Sequence, residues 1–153
     1  MRISPANIFF PDEDRTWILE QVDACLRTGQ LTLGKYGEQL EDEFAALCGT
    51  RYAVAVNSGT SALEIILRSI GVDGREVLVP ANTFYATAGA IVHAGGRPRF
   101  VDCEQSSFAL DLAALESAIT PQTAAVIVVH IGGLISPQLP AIRALCTEHA
   151  VPL

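Results

Sequence analysis

The chain is predicted to be an α/β domain of three layers, a mainly parallel sheet with helices on both faces. Three observations predict it. From Tyr52 onward, short apolar runs alternate with stretches whose apolar residues fall at helical spacing. The run Ala124–Val129 is apolar throughout rather than alternating, as in strands covered on both sides. Gly71, Gly95-Gly96 and the neighbourhood of Pro121 punctuate the alternation where turns are needed.

Taken in order, Ile3 to Phe10 is apolar but interrupted by Pro5 and followed by Pro11, which fits an extended arm. Asp12 is placed to cap a helix over Glu13–Thr28, with Trp17, Ile18, Val22 and Leu26 as its apolar stripe and Gly29 as its stop. Leu31 to Gly34 is a loop. A second helix is expected over Tyr36–Leu47, with Leu40, Phe44 and Leu47 facing inward, closed by Gly49-Thr50. Strands are expected at Tyr52–Val56, Glu76–Val79, Arg97–Val101 and Ala124–Val129. Helices are expected at Thr60–Ile70, Tyr85–Ala94, Leu112–Ile119 and Leu139–His149. Val151-Pro152-Leu153 reads as the opening of a further strand, so the chain is expected to be the N-terminal piece of a longer protein whose reading frame continues past Leu153.

The 153 residues suffice to bury a core. A net charge of −7 without any Lys/Arg run argues against a nucleic-acid surface. No apolar run approaches the length needed to span a bilayer, and the N-terminus lacks the apolar segment of a signal peptide. The expected location is the cytoplasm. Cys25, Cys48, Cys103 and Cys146 form no CxxC pair and no histidine stands at ligand spacing, so buried free thiols are expected, with no metal site.

The informative stretch is Val54 to Leu63. A β-branched run breaks into Asn57-Ser58-Gly59-Thr60-Ser61, and a helical pattern follows. Read physically this is a strand, a tight turn and the first turn of a helix. Such helix N-termini present unpaired N–H groups at the positive end of the macrodipole and suit an anion such as phosphate. The same residues could equally well do no more than cap a helix.

Ligands of open α/β sheets gather at the carboxyl ends of the strands. There the pattern puts Phe84, Asp102 and His130 in three further loops. Each also has an ordinary reading: core phenylalanine, turn cap, satisfied strand-end histidine.

The turn at 56–63, together with Pro80-Ala81-Asn82-Thr83-Phe84-Tyr85-Ala86-Thr87, resembles the DegT/DnrJ/EryC1/StrS aminotransferases. So do Gly95-Gly96-Arg97-Pro98 leading to Val101-Asp102, Val128 to Gly133, and Gly34-Lys35-Tyr36 followed by Glu41 to Ala45. The likeness implies the N-terminal part of the large domain of a fold-type-I enzyme using pyridoxal 5′-phosphate (PLP). On that reading residues 1–33 are an arm and helix, and residues 34–153 a partial PLP-binding domain truncated at its C-terminus.

The implied reaction moves an amino group from glutamate or glutamine to a keto-sugar nucleotide, in a homodimer. The arm Ile3 to Phe10 and the loop Leu31 to Tyr36 are candidates to reach the partner. By motif position Gly59, Thr60 and Ser61 hold the cofactor phosphate and Phe84 stacks on its ring; His130 lines the pocket or is structural.

Departures exist. Leu40 stands where the family commonly has phenylalanine, and Leu134-Ile135-Ser136 replaces a common glutamine-proline step. PLP catalysis also needs a lysine to hold the cofactor and an acid for its pyridinium nitrogen. The only lysine is Lys35, which matches no such position. No catalytic residue is therefore expected within these residues, and the piece alone is expected to be inactive. A PLP-dependent dehydratase of the same family, with histidine in the lysine's place, and a non-catalytic phosphate-binding module are the alternatives. A Rossmann oxidoreductase fits less well, since Gly59 is isolated and no GxGxxG occurs.

Overall fold

The structure, a computed structural model, describes residues 8–153. Contacts divide it into two compact units, Met1–Ala55 and Val56–Leu153.

The first unit carries two helices, α1 (Asp12–Thr28) and α2 (Lys35–Cys48). Both end at a glycine in the left-handed conformation, Gly29 with φ 71° and Gly49 with φ 66°, whose N–H closes the last turn. Pro11, not Asp12, occupies the N-cap of α1, and no side chain caps it. Proline's fixed φ and the three acidic residues Asp12, Glu13 and Asp14 in the first turn serve instead. The expected inward residues Leu40, Phe44 and Leu47 are exposed, as are Trp17, Val22 and Leu26. The amphipathic spacing forms the helices, but among the described residues of this unit their apolar sides stay largely uncovered. Tyr52–Val56, expected as a strand, is extended chain without a ladder partner among the described residues. The Ala55 N–H is satisfied by Glu41 Oε1 at 2.8 Å instead. Of the expected arm, Ile3 to Asn7 lies outside the described residues, while Ile8, Phe9 and Phe10 are exposed.

The second unit is built on a parallel sheet of β1 (Glu76–Pro80), β2 (Arg97–Val101) and β3 (Thr123–Val126), in the order β2-β1-β3. β1 is central and its Val77, Leu78 and Val79 are fully buried. Successive side chains alternate between faces. Val77 and Val79 pack with Leu67 of α3 (Gly59–Ile70) and with Ala90 and Ile91 of α4 (Tyr85–His93). Leu78 packs on the opposite side with Leu115 of α5 (Leu112–Ala118) and with Ile142 and Cys146 of α6 (Leu139–Glu148). The result is the three-layer α/β arrangement expected.

Gly95 shows why the entry to β2 is glycine. Its φ is +84°, and a Cβ there would stand 2.1 Å from the Asp73 carboxylate. β3 stops at Val126, three residues earlier than expected, although Ile127 N–H still reaches the Leu78 carbonyl at 2.8 Å. A register shift against β1 lies within it. On its outer side the Val126 N–H donates to the Pro152 carbonyl at 2.9 Å, so the 151–153 segment begins to line up along β3. Only Cys146 of the four free thiols is buried, and Cys48 is exposed. The expectation of four buried thiols is corrected accordingly: Cys48 follows from the uncovered face of α2.

Candidate functional site

The connectivity brings four loops to one edge. The three strands are parallel, so the segments after Pro80, Val101 and Val126 all emerge at the same side. α3 ends at Ile70 and the chain turns directly into β1, so helix and strand run in opposite senses. A 12-residue helix rises about 18 Å and a five-residue strand about 16 Å. The N-terminus of α3 therefore arrives near the carboxyl edge of the sheet.

That N-terminus is assembled by its own residues. Ser58 is extended (φ −161°, ψ 157°), and its Oγ accepts the Ser61 N–H at 3.1 Å, the usual N-cap bond. The Ser61 hydroxyl donates to Asn57 Oδ1 at 2.7 Å and lies 3.0 Å from Ser58 Oγ. The Ala62 N–H returns to the Ser58 carbonyl at 3.1 Å. Among the described residues this leaves the N–H groups of Gly59 and Thr60 and the Thr60 hydroxyl without a hydrogen-bond partner.

Around Gly59 a Cβ would meet nothing within 4 Å, so the approach to these N–H groups is open. No acidic residue lies in the first turn of α3, whereas three stand in that of α1. A donor set of two amides and a hydroxyl, with no carboxylate beside it, suits a phosphate. Capped and open donors are thus carried by different residues. Ser58, Asn57 and the Ser61 amide build the cap, and the Gly59 and Thr60 donors stay outside it.

Phe84 sits at the N-cap of α4, in the loop that leaves β1. The residue is 69 % exposed and belongs to neither apolar cluster of this unit, and its ring lies 4.5 Å from the Tyr85 ring at a 55° tilt. The loop is pinned at both ends. Ala81 N–H extends the ladder to the Val101 carbonyl at 3.0 Å, and the Thr83 and Thr87 hydroxyls bond at 2.8 Å.

Asp102 is exposed just past β2, and its carbonyl accepts the Asp111 N–H at 3.0 Å. His130 follows β3 and precedes a 3₁₀ turn over Ile131–Gly133; its Nδ1 accepts the buried Ser136 N–H at 3.4 Å. No hydrogen bond or ion pair among the described residues joins the α3 turn, Phe84, Asp102 and His130. They share an edge without forming a bonded cluster. Lys35 lies in the first unit, its Nζ 4.7 Å above the Tyr36 ring.

The sequence reading missed the segment 102–111. Cys103 and Leu110 form an antiparallel bridge, and Glu104 organises the turn between them. Its carboxylate accepts the Ser106 N–H at 2.9 Å, the Ser106 hydroxyl at 2.7 Å and the Ser107 N–H at 2.7 Å. These bonds, the Ser106 amide's foremost, hold the Glu104 carboxyl well below its ordinary value, at about 2. A glutamate two and three residues before a serine pair was the available signal.

The profile of the DegT/DnrJ/EryC1/StrS aminotransferase family matches residues 12–153. The chain belongs to that family. UDP-N-acetyl-3-dehydro-alpha-D-glucosamine 3-aminotransferase of Acidithiobacillus ferrooxidans is 41 % identical to it over 138 residues, 90 % of this chain and 37 % of the relative. NtdA of Bacillus subtilis, solved with bound cofactor PMP, superimposes with a TM-score of 0.86 at 35 % identity, covering 93 % of this chain and 33 % of that one. A Streptococcus pneumoniae protein described as a sugar aminotransferase, in its PLP form, gives a TM-score of 0.80 at 35 % identity, with 97 % of this chain and 38 % of that one covered. The chain spans little more than a third of the length of the relatives it matches. Within this DegT-family chain, no helix among the described residues is long and apolar enough to cross a membrane.

Proposed function

We propose that this DegT-family chain is the phosphate-seating part of a PLP-dependent aminotransferase that passes an amino group from glutamate or glutamine to a keto-sugar nucleotide. The observation that carries the reading is the N-terminus of α3. Ser58 caps it internally, and the Gly59 and Thr60 amides and Thr60 hydroxyl stay open beside an exposed Phe84. When bound, PLP supplies the electron sink that lets an amino group move between carbon skeletons.

The residues of this chain bind and orient. Gly59 and Thr60 donate N–H bonds to the phosphate. The Thr60 hydroxyl completes the seat, and the Ser61 hydroxyl joins it on turning its proton from Asn57 Oδ1 to the phosphate. Phe84 covers one face of the ring. Lys35, the one lysine of residues 1–153, lies in the first unit, and this reading gives it no part in holding the cofactor. We further propose a cytoplasmic homodimer, with the exposed Ile8, Phe9, Phe10, Leu31 and Leu33 available to a partner subunit.

The test is turnover with glutamate and a keto-sugar nucleotide by the protein that carries this chain. The expected result is an amino-sugar nucleotide from the protein that carries this chain and no product from residues 1–153 alone. Turnover by residues 1–153 would contradict the reading.

A further inference from the structure

The loop that carries Phe84 is tied to a second, strained element. Asn82, two residues before Phe84, uses both ends of its amide on the 102–111 segment. Its Nδ2 donates to the Phe108 carbonyl at 2.8 Å, and its Oδ1 accepts from the Cys103 thiol at 2.8 Å. The chemistry fixes this orientation. Turned over, the amide would set oxygen against the Phe108 carbonyl and its NH₂ against sulfur, a weak acceptor. Phe108 has φ +56°, a left-handed conformation that is strained for a bulky residue and persists only where its surroundings over-determine it. Burial does not supply that determination, since Phe108 is 59 % exposed. Hydrogen bonds do. Its N–H donates to the Glu104 carbonyl at 2.8 Å, the Glu104 carboxylate holds the Ser106 and Ser107 amides, and Asn82 takes its carbonyl.

We infer that Asn82 is a positioning residue: by clamping the β1 exit loop to the Phe108 turn it sets the Phe84 ring over the cofactor. The inference rests on the proposed role of Phe84. The left-handed Phe108 turn presents its carbonyl to the Asn82 amide, so Asn82 adds a tether between the Ala81 and Thr83 bonds that pin the ends of the loop.

The experiment is a double-mutant cycle in the protein that carries this chain, reading PLP affinity by equilibrium dialysis and amide hydrogen exchange over 81–84. Asn82→Ala is expected to weaken PLP about two- to tenfold, up to the whole contribution of the Phe84 stack, and to speed exchange in the loop. Asn82→Asp keeps the volume and the thiol's acceptor but loses the donor to Phe108, and is expected to behave alike. In a Phe84→Ala background neither change should weaken PLP further. Phe84→Ala leaving PLP affinity untouched would overturn the ring-covering role itself. Phe84→Ala loosening PLP while the Asn82 variants do not, or additive losses, would overturn the positioning role alone. Unfolding of both Asn82 variants without cofactor would make Asn82 a stability element and also overturn it.

Discussion

The two units of this chain share a helical grammar and differ in what it achieves. α1 and α2 have apolar stripes and left-handed glycine stops, as α3 does. Yet among the described residues of the first unit only Ala45 is buried, whereas β1 in the second unit is closed off from solvent on both faces. A parallel sheet whose crossovers are helices brings its own cover, because each connection must return across a face of the sheet. A helix pair without a third layer does not. Amphipathic spacing therefore specifies that a helix forms, and says less about what covers it.

The largest expected effect breaks the comparison in the core. Leu78→Ala removes a fully buried side chain at the centre of the sheet and should cost about 2–5 kcal/mol of folding stability. Leu26→Ala in α1 should cost under about 1 kcal/mol, since that side chain is 66 % exposed. Denaturant unfolding measures both; equal losses would mean that the first unit has a core of its own.

The next contrast lies at the helix starts. Ser58→Ala removes the bond to the Ser61 N–H and should cost about 1 kcal/mol. Asp12→Ala should change stability by no more than about 0.5 kcal/mol, because Asp12 caps nothing and its pair with Arg15 is exposed. Phe84→Ala, an exposed ring, should leave the cofactor-free stability within about 1 kcal/mol; a core phenylalanine would lose about 3–5 kcal/mol.

The smallest effect is a pH slope. Glu104 is held at about 2 in the folded chain against an ordinary 4.5, so its bonds to Ser106 and Ser107 contribute fully above about pH 4.5. That contribution fades as pH falls through 4.5 towards 2. Glu104→Gln should flatten the acid limb of the stability curve in this window, as followed by circular dichroism, and leave stability at pH 7 to 8 with no further pH dependence from this site.

Much of the second unit was legible in the sequence, for local reasons. Arg97–Val101 was bounded correctly because Gly95-Gly96 forces the turn before it and Asp102 follows it. The α3 turn was legible because capping is a local transaction within Asn57 to Ala62. Tyr52–Val56 was misread because a strand exists only with a partner, and its β-branched composition says nothing about where that partner is. The inward placement of Leu40, Phe44 and Leu47 failed for the same reason. The division between cap and open donors at Ser58 to Ser61, the Asn82 bonds and the left-handed Phe108 depend on hydrogen-bond geometry across up to 26 residues of sequence, which no spacing rule reaches.

The central claim is that α3 seats the cofactor phosphate on Gly59 and Thr60. It is tested most directly by comparing PLP with pyridoxal, which lacks the phosphate, as ligands of the protein carrying this chain, in wild type and Thr60→Val. The variant keeps the N–H and the side-chain shape but loses the hydroxyl, a bond to a charged group worth about 1.5–3 kcal/mol. The account predicts that PLP affinity falls about tenfold or more while pyridoxal affinity does not move. Equal losses for both ligands, or no loss for PLP, would contradict it.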